Sequence, residues 1–268
     1  MKKLQHLSEI HDLYDAYIID LWGVMHNGIN LHKDAINAVE NLKKKKKRVI
    51  FLSNAPRPTL NVIKFLKKLK MDEYLLENVL TSGEAAIKSI QEQKYGKNFY
   101  HLGPERDNSL FEGLEKNKSG LNNSDFILCT GLFDGKTNDL DFYHNLLKDH
   151  FNKKFICTNP DLTVHRGQVA EYCAGTIAQI FEKIGGKVIY FGKPHKEIYD
   201  LCLRNNERTL VIGDNLRTDI KGANNLNIDS IFITEGVHRK EIGDVTKLDA
   251  LLKRYKVKTN FFQKELTW

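Results

Sequence analysis

Long apolar runs are missing from this sequence. No window of about 18 residues is free of charge, so no membrane-spanning helix is expected. The amino terminus, MKKLQHLSEIHDLYDAY, has the basic start of a secretory leader without the apolar stretch that would follow it, which argues against export and for a cytoplasmic protein. Cysteine is sparse. Cys129, Cys157, Cys173 and Cys202 lie far apart, form no CxxC pair and have no histidines at ligand spacing. That argues against structural zinc and a disulfide framework and leaves reduced, mostly buried thiols. Internal repeats, low-complexity tracts and linker-like segments are also lacking. With 41% hydrophobic and 28% charged residues, the 268-residue chain is that of an ordinary globular protein able to bury a substantial core.

The net charge of +7 invites a nucleic-acid reading, but 41 basic residues are interspersed with 34 acidic ones. The one dense run, Lys43 to Arg48, follows a segment with Ala35, Ile36, Val39 and Leu42 at helical spacing. Cations there suit the negative end of a helix dipole, and no stacking motif or DNA-binding signature accompanies them. Neither nucleic acid nor membrane is expected as a partner.

What the sequence does contain is an alternation of short apolar runs and amphipathic stretches. AYIID, RVIFLSN, VIYFG, TLVIGDN and IDSIFIT read as strands; HKDAINAVENLKKKKK, TLNVIKFLKKLK and TDIKGANNLN read as helices. Near-continuous apolar strands separated by helices indicate an α/β fold, a doubly wound parallel sheet covered on both faces. The middle repeats this alternation with FYHLG, FILCTGL and KKFICTN as strands, DLDFYHNLLKDH as a helix, and GTIAQIFEKIGG as a helix closed by Gly185. The economical reading is a core formed by 1–81 and 187–268 with an α/β cap domain inserted at 82–186.

Ligands of such sheets gather at the carboxyl ends of the strands. There the sequence places Asp20, the pair Ser53 and Asn54, Lys193, and Asp214 with Asp219 beyond it. Singly, each has a plain alternative: a turn for Ser53-Asn54, the first turn of a helix capped by Thr218 for Asp219, a surface lysine for Lys193. Together they make a phosphoryl-transfer set. Carboxylates hold Mg²⁺, a hydroxyl and backbone N–H groups take phosphoryl oxygens, a lysine neutralises charge, and one carboxylate can attack phosphorus.

On these motifs the chain resembles the haloacid dehalogenase superfamily of aspartate-nucleophile phosphohydrolases, in particular the class IIA branch with a large α/β cap. DLWGVMHNG, FLSNAPR, GKPH and GDNLRTD match its four motifs in order, and CTNPD with GTIAQIFEKIGG matches its cap. The resemblance implies Asp20 as nucleophile, Ser53 as phosphoryl ligand beside Asn54, and Lys193 as the charge-stabilising cation. It also implies Mg²⁺ held by Asp20, Asp214 and the backbone carbonyl of Trp22, with Asp219 acting through a water or through Lys193.

One position departs from the pattern. The family's first motif reads D-x-D, and its second aspartate carries the proton to the leaving oxygen. Here that residue is Trp22, whose indole N–H only donates. General acid–base help is worth about 10²–10⁴-fold. Three readings stay open: a hydrolase whose proton carrier is His26 in the same loop or the substrate itself; an enzyme acting on groups that leave without protonation, such as acyl or aryl phosphates; or a binding protein that holds Mg²⁺ and a phosphorylated metabolite and signals through its closed cap. Relatives lacking the second aspartate include phosphonate-cleaving enzymes with a cap lysine, for which no matching lysine is found. The expected substrate is a small phosphorylated metabolite. Asn159 and Asp161, after KKFIC, are candidates for contacting it, an ordinary turn being the alternative for Asp161. Tyr172, Cys173 and the helix start at Gly175-Thr176 are further candidates. The resemblance suggests a homo-oligomer formed through the cap. The aromatic tail NFFQKELTW is explained equally by core packing or by a subunit contact.

Overall fold

A computed structural model of the protein describes residues 1–167, 169–243 and 247–268. The strands in chain order are β1 (Lys2–Lys3), β2 (Ala16–Ile19), β3 (Arg48–Ser53), β4 (Val79–Thr81), β5 (Phe99–Leu102), β6 (Phe126–Cys129) and β7 (Lys154–Cys157). They continue with β8 (Thr163–Arg166), β9 (Val169–Tyr172), β10 (Lys187–Tyr190), β11 (Thr209–Gly213), β12 (Asp229–Ile233) and β13 (Phe261–Gln263). Among the described residues, seven of them form one parallel sheet in the order β1-β13-β12-β11-β2-β3-β4. Four form a second parallel sheet, β10-β7-β6-β5, and β8 and β9 make an antiparallel hairpin.

The period-2 pleat explains why the large sheet reads as continuous apolar runs. On one face Tyr17, Ile19, Val49, Phe51, Leu210 and Ile212 pack under the helices Lys33–Lys44 and Thr59–Lys68. On the other, Ala16, Ile18, Ile50, Leu52 and Val211 meet Ile198, Tyr199 and Ala223. Both faces are buried, so neither tolerates polar residues. The strand order reverses direction at β2: β3 and β4 follow on one side, β11 to β13 on the other. The registers Ile19↔Phe51 and Ile212↔Ile19 bring the carboxyl ends of β3, β2 and β11 level. The crevice between β2 and β11 is thus the topological switch point, where open α/β sheets leave room for a ligand.

Two features differ from the sequence reading. The strand β10, assigned there to the core segment beginning at 187, pairs with β7 in the second sheet, so Lys193 follows a strand of the inserted unit and reaches the site from that side. Lys187–Tyr190 pairs residue for residue with Lys154–Cys157, a partnership that no pattern within the strand itself encodes. The hairpin β8–β9 is too polar and exposed to carry a strand signature. The aromatic tail builds β13, between β12 and β1, and Trp268 packs against the main core cluster, so core packing accounts for it. In the basic run, Lys43 binds Glu77, Lys47 donates to the Tyr14 carbonyl and Arg48 pairs with Glu207. All four cysteines are buried and unpaired. No helix among the described residues is long and apolar enough to cross a membrane.

Ile19 is fully buried in β2, one residue before the crevice. Ile19→Ala is expected to lower unfolding stability by about 2–5 kcal/mol, seen as a reduced denaturant midpoint with an unchanged slope.

Candidate active site

Asp20 leaves the end of β2 with its N–H donating to the Ile212 carbonyl at 2.9 Å, which fixes it beside the end of β11. Asp214 follows β11. Its Oδ2 accepts from the Val237 N–H at 2.7 Å, and two glycines make space for it. A Cβ on Gly23 or on Gly236 would lie 2.1 Å from that oxygen, and Gly23 also has φ +92°, a left-handed conformation that disfavours any side chain. Asp219 sits a turn further on. Its Oδ1 accepts from Lys193 Nζ at 2.7 Å and its Oδ2 from the Asn215 N–H at 3.1 Å. Lys193 Nζ also donates to Asp20 Oδ1 at 2.5 Å.

One ammonium therefore bridges two carboxylates at the switch point, with a third alongside. Burial opposes the charge on Lys193, but Asp20, Asp219 and Asp161 outweigh it and hold its pKa well above the ordinary lysine value. Burial also drives Asp20 up against the pull of Lys193, and drives Asp214 well above the usual carboxylate range with Asp20 adding to the effect. The cluster is short of positive charge. Oxygens of Asp20, Asp214 and Asp219 lie within 4.8 Å of one another. Both Asp219 oxygens are engaged, whereas among the described residues Asp20 Oδ2 and Asp214 Oδ1 have no hydrogen-bond donor. An all-oxygen donor set with unmet negative charge fits a hard divalent cation such as Mg²⁺.

Ser53 closes β3 as a buried residue, its Oγ accepting from the Ala55 N–H at 3.2 Å. It lines the same cavity as Asp20, Trp22 and Asp214, a space of about 750 Å³ between the core strand ends and the inserted unit. Asn54 has a different place from the one expected. Its Oδ1 accepts from the Lys193 N–H at 2.8 Å and its Nδ2 donates to the Lys193 carbonyl at 3.2 Å. Both ends of the amide meet the Lys193 backbone, so Asn54 positions the lysine, and it also lines the cavity.

His26 corrects a second expectation. It is 2% exposed, its Nδ1 accepts from the Gly28 N–H at 3.0 Å, and it packs edge-on against Trp22 and Phe65. Burial pushes its pKa down to about 3. It is neutral and walled in, which unsuits it to carry protons at the cavity. Asn159 lines the cavity and its Oδ1 accepts from the Asp161 N–H at 3.1 Å. Asp161 faces the core: its Oδ1 accepts from Asn215 Nδ2 at 3.0 Å and Thr218 Oγ1 at 3.2 Å, and burial raises its pKa to about 6. Thr218 accordingly spends its hydroxyl on Asp161, and the capping oxygen is that of Asn215, which accepts from Arg217. Tyr172 and Cys173 line the cavity wall.

Two groups went unassigned in the sequence. Arg57, present in FLSNAPR, donates to the buried Asp107 of the inserted unit at 2.6 Å and lines the cavity with it. The hairpin residues His165, Arg166 and Gly167 also line it. A lone arginine in a turn and a polar hairpin give no signal in one dimension.

A family model described as haloacid dehalogenase-like hydrolase matches residues 17–116, and a second, HAD-hydrolase-like, matches residues 190–255. The crystal structure of a haloacid dehalogenase-like family hydrolase from Brucella suis 1330 superposes with a TM-score of 0.86 at 30% identity, covering 98% of this chain and 100% of that one. The chain belongs to the haloacid dehalogenase-like hydrolases. Its class IIA-like relatives include the 5'-nucleotidase YutF of Bacillus subtilis (strain 168), 27% identical over 236 residues, 85% of this chain and 90% of that protein. An acid sugar phosphatase of Staphylococcus haemolyticus (strain JCSC1435) is 27% identical over 84% of this chain and 86% of its own.

Two outcomes are expected for this haloacid dehalogenase-like chain. Asn54→Ala orphans the buried Lys193 N–H and should cost about 1–3 kcal/mol in chemical denaturation. For His26, the unfolded residue titrates near 6.5 and the folded one near 3. Between these values the unfolded chain holds the extra proton. Stability that is present above pH 6.5 is therefore lost as pH falls toward 3, by up to about 1.4 kcal/mol per unit from this residue. His101 and His238, each pushed to about 4 by burial, act in the same direction. Stability measured from pH 7 to 4 should decline less steeply in His26→Gln than in the wild type.

Proposed function

We propose that the protein is a Mg²⁺-dependent phosphohydrolase acting on a small phosphorylated metabolite. The observation that carries this reading is the buried quartet at the switch point, Lys193 bridging Asp20 and Asp219 with Asp214 beside them. A nucleotidase and a sugar phosphatase among the relatives support the phosphorylated substrate.

Asp20 is the nucleophile, its carboxylate attacking phosphorus to form an aspartyl-phosphate that water then hydrolyses. Lys193 fixes Asp20 in place and neutralises charge on the transferring group. Ser53 Oγ takes a phosphoryl oxygen, and Asn54 keeps Lys193 aimed. Asp20, Asp214 and the Trp22 carbonyl hold Mg²⁺, which when bound offsets the negative charge of phosphate and carboxylates. Asp219 acts through Lys193 and Asn215 and stays off the metal. Asp161, in a turn held by Asn159, brings the inserted unit down as a cap on the core, and the cavity beneath it limits the substrate to a small molecule.

The alternative, a protein that binds Mg²⁺ and a phosphometabolite without cleaving it, is favoured by one observation: Trp22 and His26 leave the nucleophile's loop without a proton carrier. Turnover separates the two. Phosphate release from p-nitrophenyl phosphate should require Mg²⁺, stop on chelation, and fall by at least about 10³-fold in Asp20→Asn. Wild-type protein that binds phosphate but releases none would leave the binding reading standing.

A further inference from the structure

The contacts of the Trp22 indole are structural, and none is proton transfer. Its Nε1–H donates to the His165 carbonyl at 2.8 Å, and the Arg166 guanidinium lies 5.4 Å from the centre of its ring. His165 and Arg166 belong to β8, the first strand of the hairpin at the cavity wall. The tip of that hairpin is held to the same loop, since the Gly167 N–H donates to the Asn27 carbonyl at 3.1 Å. Arg239 adds a bond from its Nη2 to the Gly167 carbonyl at 3.2 Å. On the loop's other side the indole is seated against Gly28, where φ is +85° and a Cβ would fall 2.5 Å from Trp22 Cζ2. The hairpin has little burial of its own to hold it: Val169 is 64% exposed and Tyr172 is 41% exposed. Its position rests on polar contacts converging on Trp22 and its neighbours.

The groups around Asp20 have partners of their own, and Asp161 also lines the cavity. Lys193 is shared by Asp20 and Asp219, His26 accepts from Gly28 away from the cavity, and Asp161 accepts from Asn215 and Thr218. Resting on the phosphohydrolase reading above, we infer that Trp22 sets the leaving-group class of the substrate. It fastens the hairpin at the cavity and supplies no proton, which directs the site to acyl and aryl phosphates and away from alkyl phosphate esters. The balance is simple. Asp20 bonds to phosphorus as the bond to the leaving oxygen breaks, and the electron pair departs with a carboxylate or phenolate that is stable unprotonated. Water then bonds to phosphorus, the Asp20 oxygen is released as carboxylate, and both water protons leave on the product as H₂PO₄⁻. An alkoxide leaving group would need a proton in the first step, and this loop has none to give.

The test uses the full chain with Mg²⁺ and compares kcat/KM for acetyl phosphate, p-nitrophenyl phosphate and glycerol phosphate in wild type, Asp20→Asn, Trp22→Asp and Trp22→Phe. Wild type should favour the first two over glycerol phosphate by roughly 10²-fold or more, and Trp22→Asp should narrow that gap. Trp22→Phe keeps a ring and loses the N–H. It should retain the gap while amide hydrogen exchange in β8 and β9 accelerates, a readout that survives if the aspartate variant does not fold. Asp20-dependent turnover of glycerol phosphate at a comparable rate would overturn the inference alone, and its loss in Asp161→Asn or His165→Gln would hand the proton to that residue. Unchanged exchange in Trp22→Phe would overturn the fastening role. Absence of Asp20-dependent release from all three compounds would bring down the phosphohydrolase reading, and this inference with it.

Discussion

An ammonium group buried among carboxylates is the constraint on which the rest of the site depends. Lys193 Nζ lies 2.5 Å from Asp20 and 2.7 Å from Asp219, with all three side chains nearly sealed from solvent. Desolvating such ions is costly unless each is paired and hydrogen-bonded, and removing one partner from a buried pair typically costs about 3–5 kcal/mol. The surroundings meet that demand. Asn54 grips the Lys193 backbone at both its N–H and its carbonyl, the Asn215 N–H serves the second oxygen of Asp219, and glycines at 23 and 236 admit the Asp214 carboxylate. The arrangement still carries more negative than positive charge, which is a condition a divalent cation relieves.

Lys193 also explains why the two sheets act on one site. It leaves a strand of the smaller sheet and reaches across to carboxylates at the ends of β2 and β11 in the larger one. Asp161 approaches from the inserted unit in the same way and is received by Asn215 and Thr218, while Arg57 reaches back to Asp107. Each of these contacts places a carboxylate or ammonium largely shielded from water, where its hydrogen bonds are stronger than at the surface. The loop after Asp20 adds Trp22, whose indole N–H donates to the His165 carbonyl on the opposite wall.

Much of this was legible in one dimension because it is local. Apolar alternation located β2, β3, β11 and β12 and the helices at Lys33–Lys44 and Thr59–Lys68, since burial on both faces demands continuous apolar residues and one-sided burial demands a 3.6-residue stripe. The strand-end rule then brought out Asp20, Ser53, Asp214, Asp219 and Lys193, because polar residues directly after such strands have few other reasons to be there. Partner choice was not legible. The exposed strands β8 and β9 lack an apolar pattern, and the assignment of β10 to a sheet depends on which strand lies beside it.

The sequence by itself determined the fold class, the central strands with their flanking helices, and the charged groups at those strand ends, all of which follow from short-range pattern and strand termination. Only the tertiary structure decided what each group does with its hydrogen bonds. It made Asn54 the clamp on Lys193, took His26 out of the cavity and into the core, and tied the Trp22 indole to His165. A hydrogen bond is a relation between partners distant in the chain. The 139 residues separating Asn54 from Lys193, and the 143 separating Trp22 from His165, place that relation beyond any local pattern.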